Sequence, residues 1–562
     1  MGLHLKRVLA CVTAVSLMVV SLPEYPGGMV RQADAAERTV STEQSVQNQG
    51  QIPEKQQNGL QDATAKVSNS AVVFSKDSGT YGEEFDLGLT LGAGVASGTA
   101  IYFTTDGSDP SDQNNKARKL YTPGSIHIAD REGDPNVLSA IDPNLFDAAN
   151  VKISKDRKSF ESTLEKPSNE DVDKCTVIKA AAQYKDGTCS EVTTNTYFIG
   201  TMADHIEGIR ESCEAAGMDL SVMSISMDAE DLFDYDKGIY VKGKTFDQAL
   251  AAYLEEKGEI ESTEDCRGLD ANYKQKGKNW ERKTHIDYFE SDGTETSCIL
   301  QQDCGIRIQG NYSRSDYQKS FRLYARADYG KKNFKYAFWD QAKDDQGQII
   351  DKYKKIVLRN GGNCAFTTKF SDAYWQSLME GLDCDKQSAR PCVVYLNGEY
   401  WGVYILQNDF CSDYFADKHG VDKDSVLVYK GDAEANTDLG YKLDEGDLPE
   451  GVTNEDYYFT DLENFLKEHK DVSDPADYAA LCDLVDKDSA LDYFATQVWI
   501  NNKWDWPGKN WSMWKTSSID SNNPYADGKW RFLFYDVEFG GISGEGDSYA
   551  LSLITISQPT RP

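Results

Sequence analysis

The sequence predicts a multidomain protein in which a small all-β sandwich is followed by a larger α+β domain. Between residues 69 and 200, short runs rich in β-branched and aromatic residues end in Gly, Asp and Pro turn signals, a pattern typical of a sandwich. From residue 201 to 562, strand candidates alternate with helix candidates, which indicates an α+β architecture. The length of 562 residues is enough for roughly two to four domains.

The N-terminus, residues 1–35, is predicted to be a secretory signal peptide. A basic start precedes an apolar run over residues 8–22 that is short for a membrane span, and Ala33-Asp34-Ala35 fits a small-x-small cleavage site. An uncleaved anchor is the alternative. Residues 36–68 are rich in polar side chains and lack aromatic ones, so they are predicted to be a disordered linker. We therefore expect a secreted protein, extracellular or at the cell surface, with no membrane span after cleavage.

The charge balance limits the partners. The chain has 92 acidic and 59 basic residues, and its formal net charge is −33. Such a surface repels phosphate backbones and anionic lipids, which argues against nucleic acid or a membrane surface as the main partner. Most of these charges are expected to form a solvated acidic surface.

The cysteines do not form a recognisable framework. The 12 cysteines include no Cys-x-x-Cys pair and no clustered Cys/His spacing, so a zinc site is not expected. Cys175 with Cys189 and Cys298 with Cys304 lie at hairpin-like separations and could form disulfides. Partly buried free thiols are the alternative for many of the cysteines, and the sequence leaves the pairing open.

The β-sandwich is predicted from three strand candidates and one turn. The strand candidates are residues 99–105, 177–184 and 193–199. The first ends in Asp106-Gly107-Ser108-Asp109-Pro110, a strong turn signal. Residues 130–172 interrupt the sandwich as a charged insertion. Asp106, Asp109 and Asp112 could hold calcium or could serve only the turn.

The α+β region is predicted from alternating strands and helices. The strand candidates are residues 221–227, 305–309, 355–359, 392–396 and 401–406, and the helix candidates are residues 369–381, 456–469, 475–486 and 489–501. Asn397-Gly398 joins two of the strands and is the strongest short hairpin signal in the chain. Asp474 followed by Pro475 is a good helix start.

Two carboxylate motifs near the C-terminus are spaced as a phosphotransfer site requires. Asp505 precedes Asn510 by five residues, which is the spacing of a protein-kinase catalytic loop, where the Asp accepts the hydroxyl proton and the Asn holds a metal. Asp536 ends an apolar strand and is soon followed by Phe539-Gly540, where such folds place a second metal contact. The segments between the motifs predict a strand, a turn and a second strand. Each motif alone also occurs by chance in other chains.

Three cations are candidates for holding phosphate. Lys319 lies near the middle of a predicted strand pair, where a kinase-like fold places its phosphate-binding lysine, and Arg322 is a second cation. Their odd separation puts them on opposite faces of a regular strand. Arg359 precedes the glycine turn of residues 360–363, which could approach a phosphate or simply lead into a helix. Two surface strand cations are the alternative for the first pair.

In order along the chain, further blocks complete a family pattern. They are residues 231–243, 280–282, 306–310, 313–314, 319–322, 358–362 and 395–404, the last reading Tyr395-Leu396-Asn397-Gly398-Glu399-Tyr400-Trp401-Gly402-Val403-Tyr404. Over residues 220–541 the chain resembles the spore-coat protein H (CotH) kinase family. The resemblance implies an atypical kinase-like domain, over residues 201–562, that uses ATP with Mg²⁺ or Mn²⁺. It makes Asp505 the catalytic base, Asn510, Asp536 and Glu538 the metal contacts, and Lys319, with Arg322 or Arg359, the phosphate contact.

The chain departs from this family pattern at three places. Cys364 stands where the family has an acidic residue after the Arg-Asn-Gly-Gly-Asn turn. Gln407-Asn408-Asp409 stands where the family has a Glu, so Asp409 is a displaced substitute. The family continues beyond the Phe-Gly element, whereas this sequence stops at Pro562, so a C-terminally truncated domain is expected.

Residues 69–200 resemble the small module at the C-terminus of chitobiases and β-hexosaminidases. The pattern is carried by Thr104-Thr105-Asp106-Gly107-Ser108-Asp109-Pro110, Tyr121-Thr122-Pro123-Gly124 and Tyr197-Phe198-Ile199. The resemblance implies an accessory immunoglobulin-like module and no hydrolase activity.

These resemblances together define the expected function. It is transfer of the γ-phosphoryl group of ATP to Ser or Thr hydroxyls of exported or cell-surface proteins. The alternative is a non-catalytic spore-coat or cell-surface scaffold, or a pseudokinase, and a third is a carbohydrate-associated binding protein. The expected partners are an exported protein substrate and a cell-surface polysaccharide or coat assembly. The sequence has no Walker-type P-loop and no His-Glu-x-x-His motif, and it gives no support for a Ser-His-Asp triad.

Overall fold

The structure is a computed structural model that describes residues 70–141, 151–215, 221–291, 295–431, 441–502, 506 and 510–541. The predicted signal peptide, residues 1–35, and the predicted linker, residues 36–68, lie outside the described residues. Within the described ranges, no helix is both long and apolar enough to cross a membrane.

The N-terminal module is built from short strands. They are β1 (Val72–Phe74), β2 (Gly79–Tyr81), β3 (Phe85–Asp86), β4 (Leu89–Leu91), β5 (Ala100–Thr104), β6 (Lys119–Leu120), β7 (His127–Ile128), β8 (Val151–Ile153), β9 (Phe160–Ser162), β10 (Thr176–Gln183) and β11 (Thr193–Ile199). Strands β6, β5, β10, β11 and β2 lie side by side, and the pairs β1–β4 and β3–β7 are separate sheets. The apolar side chains of these sheets share one core, which includes Val72, Leu89, Phe103 and Ile178. The strands predicted at residues 99–105, 177–184 and 193–199 are therefore confirmed.

The three aspartates of the predicted turn all cap backbone N–H groups. The Oδ1 atoms of Asp106, Asp109 and Asp112 accept hydrogen bonds from the backbone N–H groups of Ser108, Ser111 and Asn114, each two residues further on. This is the Asx-turn pattern, which favours the turn interpretation of these residues over calcium binding.

The next region alternates helices with long strands. Its elements are α1 (Thr201–Ala215), β12 (Ser221–Ser226), α2 (Ala229–Phe233), α3 (Gly243–Lys257), α4 (Thr263–Arg267), β13 (Arg282–Ser291), β14 (Thr296–Gln309), β15 (Ser320–Tyr324), β16 (Phe334–Lys335), β17 (Lys352–Tyr353), β18 (Lys355–Arg359), α5 (Ser371–Ser377), β19 (Ala389–Leu396) and β20 (Glu399–Asn408). The strands pair in the order β13-β12-β19-β20-β18-β15-β14, and β14 also pairs with β13, so they close into a ring. A large apolar core, including Ile286, Phe321, Leu358 and Leu406, packs these strands against the surrounding helices and loops.

A smaller sheet with four helices follows in the described residues. Its elements are α6 (Ser412–His419), β21 (Val426–Gly431), β22 (Tyr441–Glu445), α7 (Thr460–Glu468), α8 (Pro475–Leu484), α9 (Lys487–Trp499), β23 (Ser512–Thr516) and β24 (Arg531–Leu533). The sheet has the order β22-β21-β23-β24. The predicted start of α8 is confirmed, because Asp474 accepts from the N–H of Ala476 and Pro475 is the first helical residue. The predicted helix at residues 369–381 is shorter, and only Ser371–Ser377 are helical.

The ring and the N-terminal module are joined at the β19–β20 hairpin. Asn397 and Gly398 have φ values of 47° and 86°, the left-handed pair that a tight hairpin of this type requires, so the predicted hairpin is confirmed. The carboxylate of Glu399, which is 2% exposed, accepts hydrogen bonds from the backbone of Leu138 at 3.0 Å and of Ser139 at 2.8 Å. Strand β2 of the module also pairs with strand β14 of the ring, with Gly79 opposite Ser297. One continuous sheet therefore runs from the ring into the module.

The cysteines of the described residues are free thiols. Neither Cys175 with Cys189 nor Cys298 with Cys304 forms a disulfide in this structure. Most of the eleven thiols, including Cys304 and Cys392, are buried. Burial raises the pKa of the Cys392 thiol to about 12, so it is a protonated, apolar core group at neutral pH.

Candidate functional site

The two predicted carboxylate motifs end at the same edge of the smaller sheet. Strands β23 and β24 are antiparallel, with Ser512 opposite Leu533. Asn510 comes two residues before β23 and Asp536 three residues after β24, so both leave the sheet at one edge. Both have left-handed backbone conformations, with φ of 58° and 54°, which are uncommon for residues other than glycine and concentrate at functional sites. Asp505 lies outside the described residues.

Arg359 connects this edge to the ring of strands. It is the last residue of β18, and its Nη2 atom donates to Glu538 at 2.7 Å and to Asp536. Its Nη1 atom donates to Asp372 at 3.2 Å. The structure therefore brings the predicted phosphate cation Arg359 and the predicted metal contacts Asp536 and Glu538 into one cluster.

Glu538 is the most enclosed carboxylate of the cluster, at 1% exposed. Besides Arg359, it accepts from the backbone N–H of Asn363 at 2.9 Å and from its side-chain amide at 2.6 Å. Burial, together with the neighbouring charge of Asp536, raises the pKa of Glu538 to about 7, although Arg359 and Asn363 oppose the shift.

The glycine turn before Asn363 is shaped by this carboxylate. Gly362 has φ of 58°, and a Cβ atom built there would lie 2.0 Å from Oε2 of Glu538. Only a glycine allows the turn to approach Glu538 so closely. In this structure the turn contacts a protein carboxylate and is followed by helix α5, and its approach to a phosphate stays a prediction.

Asp372 holds the cluster in place, and the sequence did not single it out. Its Oδ1 atom accepts from the N–H of Val537 at 2.9 Å, and its Oδ2 atom accepts from the amides of Gln376 and Gln407, each at 3.0 Å, besides Arg359. With these partners both oxygens are well satisfied, so Asp372 acts as a positioning residue. The sequence signal for Asp372 was its position soon after the glycine turn. Its partner Val537, however, lies 165 residues further along the chain.

The cluster carries more negative than positive charge. One guanidinium faces three carboxylates, and Asp536 and Glu538 share a single nitrogen of Arg359. In the part of the chain that the structure describes, no group of three or more His, Cys, Asp or Glu side chains could hold a metal alone. Mg²⁺ is usually held by one or two carboxylates together with substrate phosphates. Asp536 and Glu538, with Asn510 at the same edge, fit an ion of that kind, and do not fit a site made by protein alone.

Arg322 and Asp409 form a second ion pair beside the smaller sheet. Arg322 lies on β15, and Asp409 follows the end of β20. The Nη2 atom of Arg322 donates to Oδ1 of Asp409 at 3.2 Å, and its Nε atom lies 3.1 Å from Oδ2 without forming a hydrogen bond. The displaced acidic residue predicted after the hairpin thus has a cation partner, and that partner is Arg322.

Lys319 lies in a different environment from Arg322. Its side chain is fully buried, and its ammonium donates to the backbone carbonyl of Asp316 at 2.8 Å and to that of Arg314. The ammonium also lies 4.1 Å from the ring centroid of Tyr273. Contact with a phosphate would break these bonds, so the role predicted for Lys319 gains no support from the geometry and stays a prediction.

Comparison with known families gives one match. Residues 306–552 match the family model described as CotH kinase protein. The matched segment contains Arg322, Arg359, Asp409, Asp536 and Glu538, and it does not include the N-terminal module. No curated protein matches the chain. The family match therefore supports the kinase-like resemblance for the segment that carries the cluster.

Proposed function

We propose that this protein is an ATP-dependent phosphotransferase that transfers the γ-phosphoryl group to Ser or Thr hydroxyls of an exported or cell-surface protein. The observation that carries the proposal is the contact of Arg359 with both Asp536 and Glu538, inside the segment that matches the CotH kinase model. Protein kinases need this combination of a fixed cation and acidic metal contacts. The high acidity of the chain and its predicted signal peptide support an exported substrate.

In this proposal Asp536 and Glu538, with Asn510, hold a divalent metal ion. When bound, that ion neutralises charge on the transferring phosphoryl group. Arg359 keeps the two carboxylates together, and Asp372 fixes Arg359 and the backbone N–H of Val537. A cluster fixed in this way needs little rearrangement when its ligand binds.

The remaining roles belong to Asp505 and Arg322. Asp505 accepts the proton of the attacking hydroxyl, and because that proton moves late in the reaction, an ordinary low carboxylate pKa is sufficient. Arg322 supplies a cation near the smaller sheet, and its ion pair with Asp409 holds the guanidinium there. This assignment gives Arg322 the phosphate-contact role for which Lys319 was the first candidate in the sequence.

The test is phosphoryl transfer by the purified mature chain. The chain is incubated with labelled ATP and Mg²⁺ or Mn²⁺, and label on the protein and on added acceptor proteins is counted. We expect incorporation by the wild type and its loss in D505A and D536A, with unchanged circular dichroism. D520N, which alters an exposed aspartate in the loop between β23 and β24, is the matched control and keeps activity. Wild-type incorporation by D536A would refute the assignment.

A non-catalytic scaffold or pseudokinase is the second candidate. The observation that favours it is that Arg359 occupies both Asp536 and Glu538, so that a metal ion must compete with the guanidinium. A shift of the melting temperature with ATP and metal, without phosphoryl transfer, identifies a pseudokinase, and no shift identifies a scaffold that binds no nucleotide.

The third candidate, carbohydrate binding, finds no supporting surface on the module. The exposed large apolar side chains in its described residues are Val73, Leu120 and Val137, none of them aromatic. Tyr102 is covered by the guanidinium of Arg118, which lies 3.5 Å from the ring centroid. An aromatic face on which a sugar ring could stack is therefore missing from the exposed large side chains of the module's described residues, and the geometry does not favour this candidate.

A further inference from the structure

Helix α5 presents an apolar face to solvent. Phe370 caps the start of the helix, Tyr374 lies in its middle and Leu378 caps its end. Residues at intervals of four share one side of a helix, so these three side chains form a row. Phe370 is 55% exposed, and Tyr374 and Leu378 are each nearly half exposed. The opposite side of the helix carries Asp372, which is buried and contacts Arg359.

Two tryptophans extend this row of apolar side chains. The ring centroids of Tyr374 and Trp375 are 5.2 Å apart, and those of Trp375 and Trp499 are 6.1 Å apart. Trp499 is the last residue of α9 and is 66% exposed. Phe370, Tyr374, Trp375, Leu378 and Trp499 together are called the α5 patch. Connected apolar surface of this kind on a protein usually marks a contact site.

The described chain reaches the α5 patch at its last residue, Gly541. The Nε1 atom of Trp375 donates to the carbonyl of Gly540 at 2.8 Å. A Cβ atom built on Gly541 would lie 2.5 Å from Cζ2 of Trp375, so the backbone of Gly541 packs against the indole ring. The N–H of Gly541 donates to the carbonyl of Ile500, which directly follows Trp499. The residues after Gly541 therefore start from the patch itself.

The sequence after Gly541 contains a segment that matches the patch in chemistry. Residues 542–562 lie outside the described residues. Residues 548–560 include no charged residue, although 27% of the chain is charged. The larger apolar side chains of this stretch are Tyr549, Leu551, Leu553, Ile554 and Ile556. The family match extends to residue 552, so part of the stretch belongs to the matched domain.

The connection between Gly541 and this segment is long enough to let it lie along the patch. The connecting residues 542–548 include Gly544 and Gly546, a composition typical of flexible linkers. A connection of this length can span up to about 25 Å. Helix α5 has seven residues and is therefore about 10 Å long. The whole patch is thus within reach of residues 549–556.

We propose that residues 549–556 of the same chain pack on the α5 patch. The contact would remove apolar side chains on both sides from water, with no charged residue of the segment to desolvate. A short flexible connection also gives the segment a local concentration in the millimolar range, which favours it over a second copy or a partner protein. The packed segment would hold the helix whose inner side carries Asp372. The inference does not depend on phosphoryl transfer.

The experiment is hydrogen exchange, followed by mass spectrometry, of the full mature chain. In the wild type we expect the amides of residues 549–556 to be protected. F370D should lower that protection by about tenfold or more, because an aromatic contact is lost. Asp is a favoured residue at a helix N-cap, so the change leaves helix α5 in place. I519D is the matched control, because Ile519 is an exposed apolar residue outside the patch, and it should leave the protection unchanged.

The other outcomes overturn the inference in distinct ways. Amides of residues 549–556 that exchange in the wild type as fast as in an unfolded peptide would leave the patch to an external partner. Protection that survives F370D would place the segment elsewhere. A wild-type dimer that F370D converts to a monomer in sedimentation would make a second copy the occupant. If F370D does not fold, W499Q replaces it, with the same expected loss of protection and the same contradicting results.

Discussion

Arg359 and Asp536 are in contact across 177 residues of sequence. One ends a strand of the ring and the other follows the last described strand of the smaller sheet. The same nitrogen of Arg359 also bonds Glu538, so one guanidinium joins two sheets and two carboxylates. Loss of that cation is therefore expected to destabilise the contact between the two sheets.

Replacing Arg359 should destabilise the protein strongly. In R359M the carboxylates of Asp372, Asp536 and Glu538 lose their shared cation, and breaking a buried pair from one side costs about 3–5 kcal/mol. R359K keeps the charge but not the forked guanidinium, so its free energy of unfolding should lie between those of R359M and the wild type. Urea unfolding of the three proteins gives the measurement. A free energy of unfolding for R359M within 1 kcal/mol of wild type would contradict the buried cluster.

Adding one methyl group to the glycine turn should disturb Glu538. In G362A the new Cβ atom would lie 2.0 Å from Oε2 of Glu538, so the turn or the carboxylate must move. Gly347 is the matched control, because it has φ of 80° and open space around it, and G347A pays only the backbone cost of about 1–2 kcal/mol. We expect G362A to lose clearly more stability than G347A and to lose metal-dependent nucleotide binding. Equal losses in the two variants would show that the turn is not fitted to Glu538.

His419 should make stability depend on pH. Its two ring nitrogens contact Asp345 at 2.9 Å and Asp385 at 3.0 Å, and its ring stacks on Tyr525 with centroids 3.9 Å apart. Burial lowers the pKa of His419, but the two aspartates outweigh burial and raise it above 6.5. Because the folded state binds the proton more tightly, the contribution is fully present below the unfolded pKa and is lost as pH rises through the folded pKa.

The measurement is the melting temperature of wild type and H419Q from about pH 6 to 9, a range that spans the ordinary histidine pKa. The advantage of the wild type should shrink as pH rises. His285 contacts Asp287 and Asp303 and also has a raised pKa. H285Q is therefore the comparison variant, because it removes this second histidine and leaves the pH dependence due to His419 in place. A constant difference between wild type and H419Q over this range would show that His419 does not titrate in the folded protein.

Glu399 should hold the N-terminal module on the ring. In E399A the backbone N–H groups of Leu138 and Ser139 lose their acceptor, which costs about 1–3 kcal/mol for each buried group left unsatisfied. We expect faster proteolysis in the 130–172 insertion and a lower melting temperature. E170A, at an exposed glutamate of the same insertion, is the control and should behave as wild type. Wild-type proteolysis of E399A would indicate that other contacts hold the module.

Sequence signals that lie within a few residues predicted the strands and the hairpin. The contacts that form the candidate site join residues that are far apart in sequence. Runs of β-branched residues gave β5, β10 and β11, and Asn397-Gly398 gave its hairpin, because each signal lies within a few residues. The convergence of Asn510 and Asp536 followed from a predicted strand–turn–strand between them. By contrast, the choice of Arg322 over Lys319 as the partner of Asp409, and the contact of Asp372 with Val537, depend on residues far apart in sequence.

The closure of the ring limits which fragments of this chain could fold by themselves. The family match begins at residue 306, inside β14 (Thr296–Gln309), whereas β12 and β13, which close the ring, lie before it. A segment transplanted from residue 306 onward would leave β19 without its partner β12 and would keep only residues 306–309 of β14, and unpaired edges of this kind associate with other chains. We therefore expect the closed ring to need residues 221–291 together with the matched segment, and a fragment that starts at residue 306 to aggregate.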